Sequence, residues 1–511
     1  MMQSARKNVV FCLAVLLALL GCACSNAATA DWVLDLPQPN PVLSAQPETV
    51  SYPIASQETI HILLPSAPEG CTLLGRAAEL TGIEAEYQFV PMQDYAGALS
   101  QMMQTGDVPD LFYGKSMIGV YDYLDYGDEV ALDMTEVISR CAPNYLAAIR
   151  EDPVLSSTAF DGEYGEMYAF YQVRQGSGMS GYGPVIRQDW LDALGLDVPQ
   201  TYDEYHDVLA AFRDRYGCEQ PLGMGYIGAM AGDYLAAGYG VTAFTNGSDM
   251  ASVGFYCEDG QIKYGPAEEG FWDYLTMLHQ WYEEKLFTSD FVTWADSSEY
   301  GKLILNNQMG IAYGTAADAA GWARNITGGG QLSPIPDAVR QAGQETHLGN
   351  QSNRRTGSPT FSISAKSDKA DLCARWCDFW YSEAGTQLVN YGTEEQIEPE
   401  QIEQTSRYTL LPGIYDMALA YQTADEAART AADAWGANRD NAWRLPEDMQ
   451  LSEADQQRFA ILAQGLTTAV TVWSCKVIVG EQSLDSRADF LAELEQDGLQ
   501  KCIDCLTAYL Q

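Results

Sequence analysis

Eight side chains have types and positions suited to noncovalent contact with a small polar molecule. Tyr113 and Lys115, Asp233 and Tyr234, Thr315 and Trp322, Tyr182 within Gly181-Tyr182-Gly183, and Arg354 all follow expected strands or lie in turns and loops. Tyr and Trp offer flat apolar faces with little rotamer freedom to lose, and the neighbouring hydroxyl, carboxylate, ammonium and guanidinium groups add a few directed donors and acceptors. That combination suits noncovalent capture of a polar solute. A plainer role stands beside each: Trp322 and Tyr234 are equally suited to a packed core, and Arg354 beside Arg355 to a solvated pair.

Groups able to carry covalent or metal chemistry are scattered. The chain has twelve Cys and four His. Cys373 with Cys377, and Cys502 with Cys505, fall on single helical faces, and with no second ligand cluster nearby the expectation is apolar packing. His61, His206, His279 and His347 sit in unrelated contexts, and no GxSxG, HExxH or P-loop occurs. Gly223 to Gly228 matches GxGxxG, but it follows Pro221-Leu222 rather than a clear strand, so no dinucleotide and no other cofactor is expected. Seventy acidic residues guarantee chance carboxylate pairs, which keeps a glycoside hydrolase in view as the rival reading.

The elements that would position these residues follow from periodicity. Glu58 to Leu64 and Glu84 to Val90 read as strands, Leu73 to Leu80 and Tyr95 to Met103 as helices, and Asp107 to Phe112 as a turn entering a third strand. This β-α-β-α-β order predicts an α/β fold with a mostly parallel sheet, whose ligands bind beyond the carboxyl ends of strands, next to Tyr113 and Lys115. Val185 onward reads as a strand and a helix stopped by Gly195. Thr201 with Glu204 spells a capping box opening a helix through Phe212. Phe271 to Phe287 is an aromatic amphipathic helix, Gln308 to Tyr313 a strand, Ser362 to Ala365 a strand, and Ala370 to Tyr381 a helix. Beyond Leu411 the pattern is mainly helical.

Length and charge set the wider frame. A chain of 511 residues exceeds what one core of about 250 to 300 residues sustains, so two compartments are expected. With 28 Lys plus Arg against 70 Asp plus Glu, the net charge of −42 repels phosphate backbones and excludes nucleic acid as a partner. Arg6, Lys7 and the apolar run Val9 to Leu20 read as an export signal spanning residues 1–21. The run ends in Leu19-Leu20-Gly21-Cys22, which resembles the lipobox of bacterial lipoproteins and makes Cys22 the expected lipidation site. Residues 22–56, with Pro37, Pro39, Pro41, Pro47 and Pro53, read as an extended tether. The expected location is the outer face of a bacterial cell membrane, held by the lipid anchor alone.

Three stretches resemble the extracellular solute-binding proteins of ABC importers, in the lipoprotein group associated with carbohydrates. These are Thr81-Gly82-Ile83 with Gly106-Asp107-Val108-Pro109-Asp110; Ile186-Arg187-Gln188-Asp189-Trp190-Leu191-Asp192-Ala193-Leu194-Gly195-Leu196 with Pro199-Gln200-Thr201; and Ser362-Ile363-Ser364-Ala365-Lys366-Ser367 with Trp380 to Gly385 and Asn390-Tyr391-Gly392. The resemblance implies a periplasmic-binding-protein-like fold whose two discontinuous lobes, joined by hinge strands, close on a solute. Residues 57–166 and 331–392 are expected in lobe one, and 167–330 and 393–511 in lobe two. It further implies delivery of the solute to the transmembrane subunits of an ABC permease, without catalysis. A saccharide is the expected cargo, because its hydroxyls and C–H faces match the eight residues above; a peptide or another polar solute is the alternative.

Overall fold

The computed structural model describes residues 41–65, 73–107, 109–113, 130–150, 159, 166–176, 181–219, 221–223, 231–242, 254–287, 291, 297–348, 356–392, 410–422, 424, 426–446, 449 and 451–510. The chain divides into two compact units of interleaved segments. The amino-terminal unit comprises Gln38–Gly178 and Asn353–Ala424, and the carboxy-terminal unit contains Met179–Ser352 and Asp425–Gln511.

In the amino-terminal unit, strand Thr59–Pro65 is seven residues with a buried apolar run, and it pairs in parallel with both Glu84–Val90 and Leu111–Tyr113. Helices Leu73–Thr81 and Met92–Thr105 make the crossovers, giving the β-α-β-α-β order that the sequence predicts. Gly106 ends the second helix in the left-handed region (φ 74°), where glycine is favoured because it has no Cβ. Phe361–Ile363 adds an antiparallel edge beside Leu111–Tyr113. A second sheet of Thr356–Pro359, Tyr171–Gln175 and Gly413–Asp416 completes the unit. Its core gathers Ile60, Ile62, Leu63, Phe112, Tyr145, Phe170 and Trp376 in one apolar cluster.

The carboxy-terminal unit is built on the sheet order Leu332–Pro334, Tyr182–Arg187, Ile311–Thr315, Leu222–Gly223. The capping box is realised: the Thr201 hydroxyl accepts from the Glu204 N–H, the Glu204 carboxylate accepts from the Thr201 N–H, and the helix Tyr202–Tyr216 follows. Gly195 stops helix Gln188–Leu194 at φ 66°. Arg187, 3 % exposed, holds Asp189 with two nitrogens at 2.8 and 2.6 Å, donates to Asn307 and lies 4.1 Å over the Trp190 ring. Burial pushes the Asp189 carboxyl up, yet Arg187 and the Gln331 N–H outweigh it and hold the group below its ordinary value.

The chain passes between units near residues 178, 352 and 424, later in each case than the expected 166, 330 and 392. The second shift has a direct cause: Leu332–Pro334 pairs antiparallel with Tyr182–Arg187, and Thr346 bridges Arg439, so residues 331–348 stay with the carboxy-terminal unit.

Within helix Glu453–Ile478, Arg458–Ile478 is long and apolar enough to cross a membrane. Phe459, Leu462, Leu466, Val470 and Ile478 of this stretch lie in the apolar cluster of the carboxy-terminal unit, which makes it a core helix. Cys373 and Cys377 are buried as free thiols in the amino-terminal core and Cys502 in the carboxy-terminal one, and Cys505 is a buried free thiol on the same helix as Cys502.

Candidate functional site

Three of the eight expected contact residues come together at one end of the carboxy-terminal sheet. Tyr182 opens its strand directly opposite Thr315, the last residue of the antiparallel neighbour. The Tyr182 ring stacks on Tyr234 at 5.2 Å and 28°, and on Tyr313 at 6.5 Å and 26°. Tyr234 is placed by the short helix Ala231–Ala237, which also carries Asp233. These rings are nearly buried, Tyr182 at 5 % and Tyr234 at 8 % exposure, so they form an aromatic floor rather than a free-standing platform.

An ion pair braces that floor from beneath. Arg439 Nη1 donates to the Tyr182 carbonyl at 2.8 Å, its Nη2 and Nε both donate to the Asp337 carboxylate, and its guanidinium carbon lies 4.7 Å over the Tyr234 ring. Both partners are sealed from solvent. Burial is the strongest influence on Asp337 and lifts its carboxyl above the ordinary value against the pull of Arg439. Burial acts to lower the Arg439 guanidinium, but Asp337 outweighs it and raises a group that already titrates far above neutrality, so the guanidinium stays charged. Neither residue was singled out in the sequence, because residues 337 and 439 lie far apart with no local pattern joining them.

Gly183 shows why glycine follows Tyr182. A Cβ there would sit 2.4 Å from Trp435, whose indole N–H donates to the Pro184 carbonyl at 2.9 Å. Helix Glu426–Gly436 thereby packs flush on the strand.

Thr315 and Trp322 divide between roles. Thr315 is the exposed N-cap of helix Ala316–Asn325, its hydroxyl accepting from the Asp318 N–H and donating to the Asp318 carboxylate at 2.8 Å. Trp322 folds back from that helix onto the glycine backbone: a Cβ on Gly314 would stand 2.6 Å from its ring and one on Gly301 3.0 Å. At 7 % exposure within an apolar cluster with Val185, Ile304 and Trp435, Trp322 packs as core.

In the amino-terminal unit Tyr113 ends its strand at 4 % exposure, edge-on to Phe361 at 6.0 Å. Its N–H donates to the Tyr95 hydroxyl, which donates to the Leu63 carbonyl, so Tyr113 is tied into the sheet. Asp110, from the Gly-Asp-x-Pro-Asp stretch, accepts from the His61 N–H, the Ser367 hydroxyl and the Lys369 ammonium at 2.9, 2.7 and 3.1 Å. Burial raises its carboxyl, but these donors prevail and hold it below the usual range. The motif is therefore a fold-fastening one. Lys115, Arg354 and Cys22 lie outside the described residues.

A surface pocket of about 400 Å³ lies elsewhere in the carboxy-terminal unit, lined by Gly240, Gln344, Glu345, His347 and Trp443 among others. His347 Nδ1 meets the Asp440 carboxylate at 2.9 Å, and its ring is 4.7 Å from that of Trp443. Sequence reasoning noted His347 but attached no role to it.

Two α/β units of interleaved segments, each with helices packed on its sheets, define the periplasmic-binding-protein class of fold. Residues 73–387 match the model of the bacterial extracellular solute-binding protein family, and the chain belongs to that family. Lipoprotein LipO of Bacillus subtilis (strain 168) is 24 % identical over 289 residues, which is 53 % of each chain, so the matched stretch spans about half the length of that relative. The fructooligosaccharide ABC transporter substrate-binding protein FusA of Streptococcus pneumoniae serotype 4 is 22 % identical over 412 residues, 76 % of this chain and 70 % of FusA. Among solved structures, an EF-hand mutant of S. pneumoniae FusA in complex with fructo-nystose aligns with a TM-score of 0.64 at 16 % identity, covering 89 % of this chain and 99 % of that one. An HMO-binding, ABC-transporter-associated solute-binding protein from Bifidobacterium longum infantis aligns with the same TM-score at 16 % identity, covering 88 % and 98 %.

Proposed function

We propose that this protein is the solute receptor of an ABC importer, that it takes an oligosaccharide from outside the cell, and that it hands the solute over chemically unchanged. The observation that carries the reading is the family match across residues 73–387, extended by similarity to a fructooligosaccharide receptor along 412 residues. The chemistry of the chain agrees with it. The buried Tyr182, Tyr234 and Tyr313 stack stiffens the strand end that carries the exposed Thr315, the half-buried Trp443 lines a pocket in the same unit, and aromatic faces with a few directed polar groups are what a sugar ring requires. A charge of −42 disfavours polyanionic cargo and favours a neutral one.

In this reading the lipid on Cys22 holds the receptor at the outer membrane surface, where tethering raises its local concentration at the permease. The test is a melting-temperature screen of the protein against neutral oligosaccharides, uronate oligomers, peptides and nucleosides, with chromatography of the glycans afterwards. A ligand that binds only the folded state raises stability by about 2.7 kcal/mol at one hundred times its Kd. The expected result is a rise with a neutral oligosaccharide that is recovered intact. Cleaved glycan would establish an enzyme, and a rise with peptides or nucleosides alone would replace the cargo.

A further inference from the structure

The about 400 Å³ pocket has the size and wall of a ligand subsite, and its placement follows from local pairing. The segment around residues 344–347 is bound to the segment 438–443: the Thr346 N–H donates to the Asn438 carbonyl, the Asp440 N–H to the Thr346 carbonyl, and the Trp443 N–H to the His347 carbonyl, at 2.8, 2.8 and 3.2 Å. The Cys257 N–H in turn donates to the Trp443 carbonyl, which fixes that residue's backbone to the Phe255–Glu258 strand. Gln344 also lines the pocket, its amide donating to the Gly238 carbonyl and accepting from the Arg340 N–H. Gly240 and Gly343 carry no side chains into the space.

The polar groups are held in register. Asp440 accepts from His347 Nδ1 and from the Ala442 N–H at 2.9 Å, so the imidazole is oriented from one side by a carboxylate that is itself held. His347 Nε2 has no partner among the described residues, and neither has the exposed carboxylate of Glu345. Beside them the Trp443 indole is half-buried, supported by Tyr256 at 6.0 Å and 20°. Arg439, which braces Tyr182 and Tyr234, immediately precedes Asp440, so one segment steadies both the aromatic floor and the pocket.

We infer that this pocket is a saccharide subsite: a neutral sugar ring packs against Trp443, with its hydroxyls bonded to His347 Nε2 and the Glu345 carboxylate. The assignment rests on the oligosaccharide reading and narrows it. An aromatic face with a tethered imidazole and a carboxylate is the chemistry that a polyol ring satisfies. The carboxylates of Glu345 and Asp440 oppose an anionic uronate at the same place.

The test is titration calorimetry of the protein with kestose, maltotriose and trigalacturonate, repeated for Trp443→Ala, His347→Ala and Glu345→Gln. For a neutral trisaccharide that the wild type binds, Trp443→Ala and His347→Ala are expected to weaken affinity by about ten-fold or more, and Glu345→Gln by about three-fold. His347→Gln, which keeps a polar atom near the position of Nε2, is expected to recover part of the loss. Glu345 is exposed and unpaired among the described residues, so Glu345→Gln is expected to keep the unliganded melting temperature, and the melting temperature of each other variant, read alongside, separates lost binding from lost folding. Wild-type affinity in all three variants would overturn the subsite while leaving the receptor reading in place. Tighter binding of trigalacturonate than of either neutral sugar would overturn the neutral class. Binding of none of the three would count against the oligosaccharide reading and the subsite together.

Discussion

Arg439 and Asp337 meet through two charge-assisted hydrogen bonds with their side chains at 0 and 1 % exposure, while the same guanidinium reaches the Tyr182 carbonyl. The pair connects the carboxy-terminal segment to the strand end that carries the aromatic floor.

Removing one partner leaves the other charge buried and alone. Asp337→Ala and Arg439→Met are each expected to cost about 3 to 5 kcal/mol of stability, whereas the double substitution Asp337→Leu with Arg439→Met should recover much of that loss. Urea unfolding of the three variants measures this. A single substitution costing less than the double one would contradict a buried ion pair.

Trp322→Ala is expected to remove a packed indole from between the backbones of Gly301 and Gly314, at a cost of about 3 to 5 kcal/mol. The melting temperature of the unliganded protein should fall accordingly. An unchanged melting temperature combined with weaker solute binding would return Trp322 to the contact role that its sequence position suggests.

Thr315→Ala deletes the hydroxyl of a capping box and is expected to destabilise by about 1 kcal/mol, with Thr315→Ser restoring most of it. Thermal unfolding provides the comparison. If Thr315 also touches the solute, affinity in Thr315→Ala falls by more than the fold loses.

Asp378, buried on helix Ala370–Phe379, caps the start of helix Pro143–Arg150 by accepting from the Tyr145 N–H and the Asn144 amide at 2.9 and 2.7 Å. Burial dominates and pushes its carboxyl up to about 7. Because the folded value lies above the unfolded one, the stability this group contributes is complete below about pH 4 and is lost as pH rises through about 7. Across that window the wild type should lose up to about 4 kcal/mol relative to Asp378→Asn, read by denaturant unfolding at several pH values. A difference between the two proteins that is flat with pH would remove Asp378 from this role.

Cys22→Ser, or blocking lipoprotein processing, is expected to release the protein from the membrane fraction of expressing bacteria into the medium. Fractionation with an antibody reads this directly, and continued membrane retention of Cys22→Ser would argue against the anchor.

Elements set by neighbouring residues were legible in the sequence. The strand Glu84–Val90, the Thr201/Glu204 box and the Gly195 stop all depend on residues within one or two turns of each other, and each stands where its pattern puts it. The fold class followed from the order of such elements. The Arg439 and Asp337 pair, the strap that seats His347, and the pairing of Leu332–Pro334 with Tyr182–Arg187 are contacts between distant segments, for which periodicity carries no signal. Burial was illegible for a related reason. Tyr113 and Trp322 have side chains suited equally to a pocket or a core, and only the elements around them decide which.

The eight cysteines among the described residues are all free thiols, and seven of them are buried. Burial pushes Cys475 and Cys505 up to about 12 and Cys373 and Cys502 higher still, which keeps them in the unreactive neutral form. The segments that carry these seven buried thiols are held together by packing and hydrogen bonds, with the sulfur atoms serving as apolar filling.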